Sequence, residues 1–219
     1  MDCKLVYLQG CHPAKILCAL AELPESLDDT YAHILREINE ANWELAHRLL
    51  QIVAVSFRPL HVEELAEILA FDFETHPIPT FHEDWRMEDP LDAVLSICST
   101  LLAIVDTEGS PVIEFSHISV KEFLTSHRLA ETKDEISRRY HISMIPAHTL
   151  AAQACLGILL HLDQNVTGDS LLNFPLAEYA EEYGLDHAQF ENVSQNGEDG
   201  IKRLFDPKPT TSRGLGLDI

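Results

Sequence analysis

The sequence predicts a mainly α fold with one short β-hairpin, and three observations carry that prediction. Apolar residues recur at spacings of three and four through most of the chain, as on one face of a helix. Caps, acids and prolines stand where those helices begin. Two β-rich runs, joined by Thr107-Glu108-Gly109-Ser110 within LLAIVDTEGSPVIEF, supply the hairpin.

Taken in order, residues 1–22 form a poorly assigned N-terminal segment. Leu5, Val6, Leu8, Ile16, Leu17 and Leu20 suit docking on a core, but Gly10 and Pro13 interrupt a long helix. The first clear helix follows Ser26, whose spacing to Asp29 resembles a capping box, and it repeats Leu27, Tyr31, Ile34, Leu35 and Ile38. A second begins after Asn42, with Trp43, Ala46, Leu49, Leu50, Val53 and Phe57 on one side, and ends before Pro59. The third, HVEELAEILAF, turns Val62, Leu65, Ala66 and Leu69 inward and gives Glu63, Glu64 and Glu67 to solvent.

Residues 72–88 hold two prolines and no period, so they read as a loop with at most a short extended piece. Asp89-Pro90 opens the next helix, where Val94, Leu95, Cys98 and Leu101 face inward. After the hairpin, Ser119 and Glu122 read as a capping box for a helix bearing Val120, Phe123 and Leu124. Three helices, a two-stranded wing and another helix is the order of a winged helix. Pro146 opens a further helix, DQNVTGDS at 163–170 is a linker, and a last helical piece runs from Pro175 toward Phe190, weakened at Gly184. The division is thus 23–41 as a leading helix, 42–131 as the winged helix, 132–192 as a helical connector and 193–219 as a turn-rich, disordered tail.

Charge narrows the functions. Fifteen Lys and Arg stand against thirty-six Asp and Glu, a net charge of −21, whereas nucleic-acid binding works by cations neutralising phosphates. DNA is therefore not an expected partner, and the third helix carries three glutamates with no Lys or Arg. No uninterrupted run of about 20 apolar residues points to a bilayer, and the N-terminus lacks a signal-peptide pattern. Cys3, Cys11, Cys18, Cys98 and Cys155 make an odd number without a C-x-x-C pair, which suits free thiols in a reducing compartment. The cytoplasm is the expected location.

Phosphate-cradling and nucleophile-elbow glycine motifs are missing, so catalysis by this chain is not expected. His76, His82, Glu83 and Asp84 are metal-ligand types at spacings that match no zinc pattern, and no metal is expected. His117 differs, because it stands just outside the predicted cap where strand becomes helix. A free helix start suits an anion, so His117 is either a packed corner residue or a contact for phosphate.

Several blocks carry a family resemblance: LPESLDDTYAHILREI, RPLHVEELAEILAFDF, VLSICSTLLAIVD, EFSHISVKEFLTSHRLA and IPAHTLAAQACLGILLHL. From about Leu23 to Pro207 the chain resembles the segment of fungal NACHT-type STAND signalling NTPases that follows the nucleotide-binding core. That segment comprises a winged helix and a helical connector leading to ankyrin repeats, and it also bears the label GPI inositol-deacylase winged helix, which assigns no activity. Phe115, His117, Ser119, Glu122 and Phe123 match the motif F-x-H-x-S-x-x-E-[FY] position by position. The resemblance implies that His117 contacts a phosphate of ADP in the closed, inactive state. It implies ADP or ATP only when joined to such a core, and otherwise no cofactor.

The P-loop module expected before residue 23 and the repeats expected near Pro207 are not in this sequence. A fragment of a longer protein, a misassembled gene model and a truncated paralogue all fit. The expected function is a non-catalytic regulatory segment closing over an ADP-bound core, in cis or in trans. The alternatives are a free-standing protein-binding module, a non-functional remnant, a DNA-binding winged helix and a hydrolase.

Overall fold

Helix α1, Leu27–Glu37, starts at its predicted cap: Ser26 Oγ accepts the Asp29 N–H at 3.1 Å. Asp28 and Asp29 in its first turn and Arg36 in its last complement the helix dipole. The computed structural model describes residues 26–75, 78–98, 100–107, 109–165 and 173–190. Expectations for residues 1–22 and 193–219, for Cys3, Cys11 and Cys18, and for His76 lie outside the described residues.

A 3-10 turn at Glu40–Asn42 leads into α2, Trp43–Val55, which buries Ala46, Leu49, Leu50, Ile52, Ala54 and Val55. Phe57 lies beyond the end of this helix and is half exposed. Strand β1, Leu60–His61, passes directly into α3, Val62–Glu67, continued by a 3-10 turn at Ile68–Ala70. The predicted loop then contains a small hairpin of β2, Phe71–Asp72, against β3, Thr80–Phe81, and a 3-10 turn at Glu83–Trp85. Helix α4, Pro90–Cys98, keeps its predicted start, with Asp89 accepting the Asp92 N–H at 3.0 Å.

The wing consists of β4, Leu102–Thr107, and β5, Ser110–Phe115, turning at Gly109. It has a third strand that the sequence did not announce. β1 pairs antiparallel with β5, Leu60 opposite Ile113 and His61 opposite Val112, so the sheet order is β1-β5-β4. A two-residue strand has no periodicity to read, and it exists because β5 offers a free edge. Helix, strand, two helices and a hairpin make α2 through β5 a winged helix. The helix that immediately precedes the hairpin is α4, not the HVEELAEILAF helix on which the DNA argument rested. Helix α4 carries no Lys or Arg either, and its one charge is Asp92.

Helices α5, Ile118–Leu124, α6, His127–Ala130, and α7, Glu135–Arg138, follow, and then α8, Met144–Asn165, and α9, Leu176–Gln189. Helix α8 begins two residues before Pro146, because a proline in the first turn forfeits no intrahelical bond. It also runs past the expected linker start at 163. Met144–Leu162 is long and apolar enough to cross a bilayer. Here it packs against α9, α2 and β3, and Ala147, Ala151, Ala154 and Ile158 are essentially inaccessible.

Two glycines permit that packing. A Cβ at Gly157 would stand 2.8 Å from the Pro79 carbonyl oxygen, so glycine at this position lets the small hairpin lie close on α8. Helix α9 runs unbroken through Gly184; a Cβ there would be 3.1 Å from that of Cys155, and its absence lets α9 lie close on α8. The buried cluster is continuous from Leu35 through Leu65 and Leu124 to Ile158 and Tyr179. Each such aliphatic side chain contributes about 1.5–3 kcal/mol by leaving water.

The glutamate face of α3 needs correction. Only Glu63 faces solvent, while Glu64 and Glu67 are 2% and 4% exposed. Glu64 takes a two-point contact from Arg58 at 2.6 and 2.8 Å and also accepts the His61 N–H at 2.8 Å. Glu67 holds Arg86 and accepts the first N–H of α9, that of Leu176, at 2.8 Å. Both arginines lie outside the helix, so helical spacing alone could not show that these carboxylates are paired.

Candidate functional site

The corner between β5 and α5 is fastened to the hairpin behind it, since Ser116 N–H donates to the Leu101 carbonyl at 2.9 Å. His117 follows with extended backbone (φ −155°, ψ 150°) and is itself the N-cap of α5. The expected Ser119–Glu122 capping box does not form. The helix starts at Ile118, Ser119 N–H donates to His117 Nδ1 at 3.2 Å, and Glu122 is exposed without the reciprocal bond.

Ser119 does different work. Its Oγ lies 2.7 Å from His117 Nδ1 and 2.7 Å from the Tyr31 hydroxyl. One arrangement of protons satisfies all three contacts: Tyr31 O–H donates to Ser119 Oγ, Ser119 O–H donates to Nδ1, and Nδ1 also accepts the Ser119 N–H. With Nδ1 an acceptor, the neutral ring carries its proton on Nε2. His117 is exposed, and no partner occupies Nε2 among the described residues. The corner thus presents an oriented N–H donor to the outside, suited to an anionic oxygen.

Tyr31 is the residue of this corner that sequence reading missed. It stood as one member of an apolar stripe, and its ring does pack against Phe123, with centroids 5.6 Å apart. Its hydroxyl reaches a residue 88 positions away, and no local signal marks that.

A second polar cluster lies where the end of α2 meets α8 and α9. His148 and His187, both buried, place their Nδ1 atoms 2.8 Å apart, so one donates and the other accepts. His187 Nε2 is 2.9 Å from the Tyr179 hydroxyl, which accepts the Phe57 N–H at 3.2 Å. Phe190 stacks on His148, and Phe57 lies against both rings. Burial depresses the His148 and His187 pKa values, that of His187 to about 4. At the other end of α9, Arg86 reaches Glu67 and the Asn173 carbonyl while lying over the rings of Phe81 and Phe174. Burial pushes the Glu67 carboxyl up, and the Leu176 N–H and Arg86 oppose the shift.

The remaining sequence candidates are scattered. His82 stacks on Trp85, and Glu83 contacts His161 at 3.1 Å. Cys98 and Cys155 are free and buried, and desolvation pushes both thiols up to about 12, which keeps them protonated and poorly nucleophilic.

Residues 36–134 match the family described as GPI inositol-deacylase, winged helix domain. Azaphilone pigments biosynthesis cluster protein L of Monascus ruber is 34% identical over 176 residues, 77% of this chain and 36% of that protein. Vegetative incompatibility protein HET-E-1 of Podospora anserina is 27% identical over 110 residues, 50% of this chain and 7% of that protein. The chain therefore spans about a third of one relative and a small part of the other. No solved structure matches it.

Proposed function

We propose that this chain, whose residues 36–134 are a winged-helix domain of the GPI inositol-deacylase type, is a non-catalytic regulatory segment of a NACHT-type signalling NTPase. In this reading it closes over an ADP-bound nucleotide-binding core, as part of a longer cytoplasmic protein with ankyrin repeats or in trans. His117 donates from Nε2 to a phosphate oxygen and so favours the closed state.

The observation that carries the reading is the relay from Tyr31 through Ser119 to His117. It engages one ring nitrogen from behind and leaves the other outward. A histidine placed only to cap the helix needs Nδ1 alone. The relay adds a fixed tautomer and a fixed ring plane, which matter when the second nitrogen has a ligand. Helix α5 is seven residues long, so its dipole adds little, and the directed hydrogen bond is the main attraction. The similarity to two fungal proteins is consistent with this setting.

The test is association with a NACHT nucleotide-binding module, joined before residue 26 or supplied in trans. ADP is expected to tighten binding about tenfold or more, the worth of a hydrogen bond to a charged group. His117→Ala should remove most of that gain and leave nucleotide-free binding unchanged. Equal affinity with and without ADP, unaltered by the substitution, ends the sensor reading.

A further inference from the structure

Helix α1 is attached to the rest of the chain more lightly than α2. It is 11 residues long and buries only Tyr31 and Leu35, whereas α2 buries six side chains in 13 residues. It packs chiefly on α5 and α7. Its other ties are polar: Arg36 reaches Asp134 at 2.7 Å, Arg128 reaches Asp28 at 2.7 Å, and Ser137 Oγ donates to the Ala32 carbonyl at 3.4 Å. Both ion pairs stand largely in water, where such pairs contribute little. The winged-helix match begins at residue 36, so nearly all of α1 precedes that domain. An element with few buried apolar side chains opens at a lower cost than the core it lies on.

Tyr31 makes this lightly held helix a member of the His117 corner. Its hydroxyl lies 2.7 Å from Ser119 Oγ, which in turn lies 2.7 Å from His117 Nδ1. While Tyr31 donates to Ser119, the serine proton is directed at Nδ1 and polarised toward it. Without Tyr31 the Ser119 hydroxyl is free to turn to water, or to accept from a protonated Nδ1. The ring then loses the bias that keeps its proton on Nε2.

We infer that α1 is the input arm of the His117 corner: docked, it holds the ring with Nε2–H outward, and lifted, it releases the ring. The inference takes its meaning from the function proposed above, in which a nucleotide-binding core precedes α1 and acts on the winged helix through it. The coupling is reciprocal. An anion held by Nε2 keeps α1 down, and lifting α1 weakens that hold by the same factor, about three- to tenfold for one hydrogen bond of the relay.

The experiment uses the full chain without nucleotide and reads two quantities: amide hydrogen exchange along α1 and α2, and the imidazole ¹⁵N shifts of His117. In the intact chain α1 should exchange through openings that leave α2 protected, with the ring protonated at Nε2. Leu35→Ala removes the main apolar anchor of α1 and no atom of the relay. It should speed α1 exchange at least about thirtyfold, leave α2 protected and bring both neutral tautomers of His117 into view. Arg36→Glu, a surface change, should move both readouts the same way but less, with exchange about two- to fivefold faster. Ile158→Ala, at an equally inaccessible site on α8, should leave the tautomer unchanged. Exchange of α1 only together with α2 overturns the inference. So does a ring that stays protonated at Nε2 after α1 has lost its protection in Leu35→Ala. A tautomer that follows α1, in a chain whose association with a core ignores ADP, upholds the inference and removes the sensor role alone.

Discussion

The corner at His117 and the junction between α2, α8 and α9 use the same kinds of side chain at opposite limits of burial. Buried polar groups are engaged inside the protein: His187 at the junction by His148 and Tyr179, and Glu67, at the other end of α9, by Arg86 and the Leu176 N–H. At the corner one ring nitrogen of His117 is engaged and the other is open. Buried polar atoms must find partners or lose their hydration uncompensated, whereas an exposed donor keeps water until a ligand replaces it. The presence of histidine therefore says little, and the state of its second nitrogen separates scaffold from candidate site.

Glu67→Ala is the strongest way to test that contrast. It removes the acceptor for the first N–H of α9 and leaves Arg86 against two aromatic rings without its carboxylate. Stripping one partner from a buried ion pair costs about 3 kcal/mol, and the partial exposure of Arg86 sets the expectation at or slightly below that figure. Urea denaturation measures it. A loss smaller than that of any substitution at the corner would break the comparison.

Acid should destabilise the fold through its depressed histidines. The folded pKa values of His47, His141, His148 and His187 all lie below 6.5, chiefly through burial. A depressed folded value means that the unfolded chain takes up the proton first. The stability is complete above about pH 6.5 and is lost as pH falls toward the folded value, about 4 for His187. Asp72 and Asp134, also depressed, lose their share only at lower pH, and the raised Glu67 works in the opposite sense. The interval from pH 6.5 to 5 therefore reports mainly histidines, with an expected loss of roughly 2 kcal/mol. His187→Phe should flatten that slope, and a slope left unchanged would show that the buried His187 does not carry it.

Local chemistry was legible and long-range pairing was not. Ser26, Asp89 with Pro90, and Gly109 mark their turns and helix starts within a few residues. The corner was found for a partly mistaken reason. S-x-x-E spacing suggested a Ser119 cap, but Tyr31 draws the Ser119 hydroxyl away and His117 takes the cap. Glu64 and Glu67 looked solvated because helical spacing reports neighbours at three and four residues, while their arginines lie 6 and 19 residues away. His148 and His187 are 39 residues apart on different helices, and no motif links them. What escaped the sequence is what tertiary packing decides.

The smallest expected effect bears most directly on the proposed site. Ser119→Ala and Tyr31→Phe should each cost about 1 kcal/mol, the net worth of an intramolecular hydrogen bond. Their double variant should cost less than the sum, because each breaks the same relay. Stability alone would not distinguish a relay that orients His117 from one that merely fastens α1 to α5. The imidazole ¹⁵N shifts of His117 make that distinction. The intact chain should show the ring protonated at Nε2, and Ser119→Ala should mix the two neutral tautomers, because Nδ1 then keeps only the long backbone contact. If the tautomer is unchanged in Ser119→Ala while the stability loss appears, Tyr31 and Ser119 are a structural tie and the open nitrogen is incidental to them. If both change together, the fold uses a contact 88 residues long in sequence to hold one exposed N–H in a fixed direction.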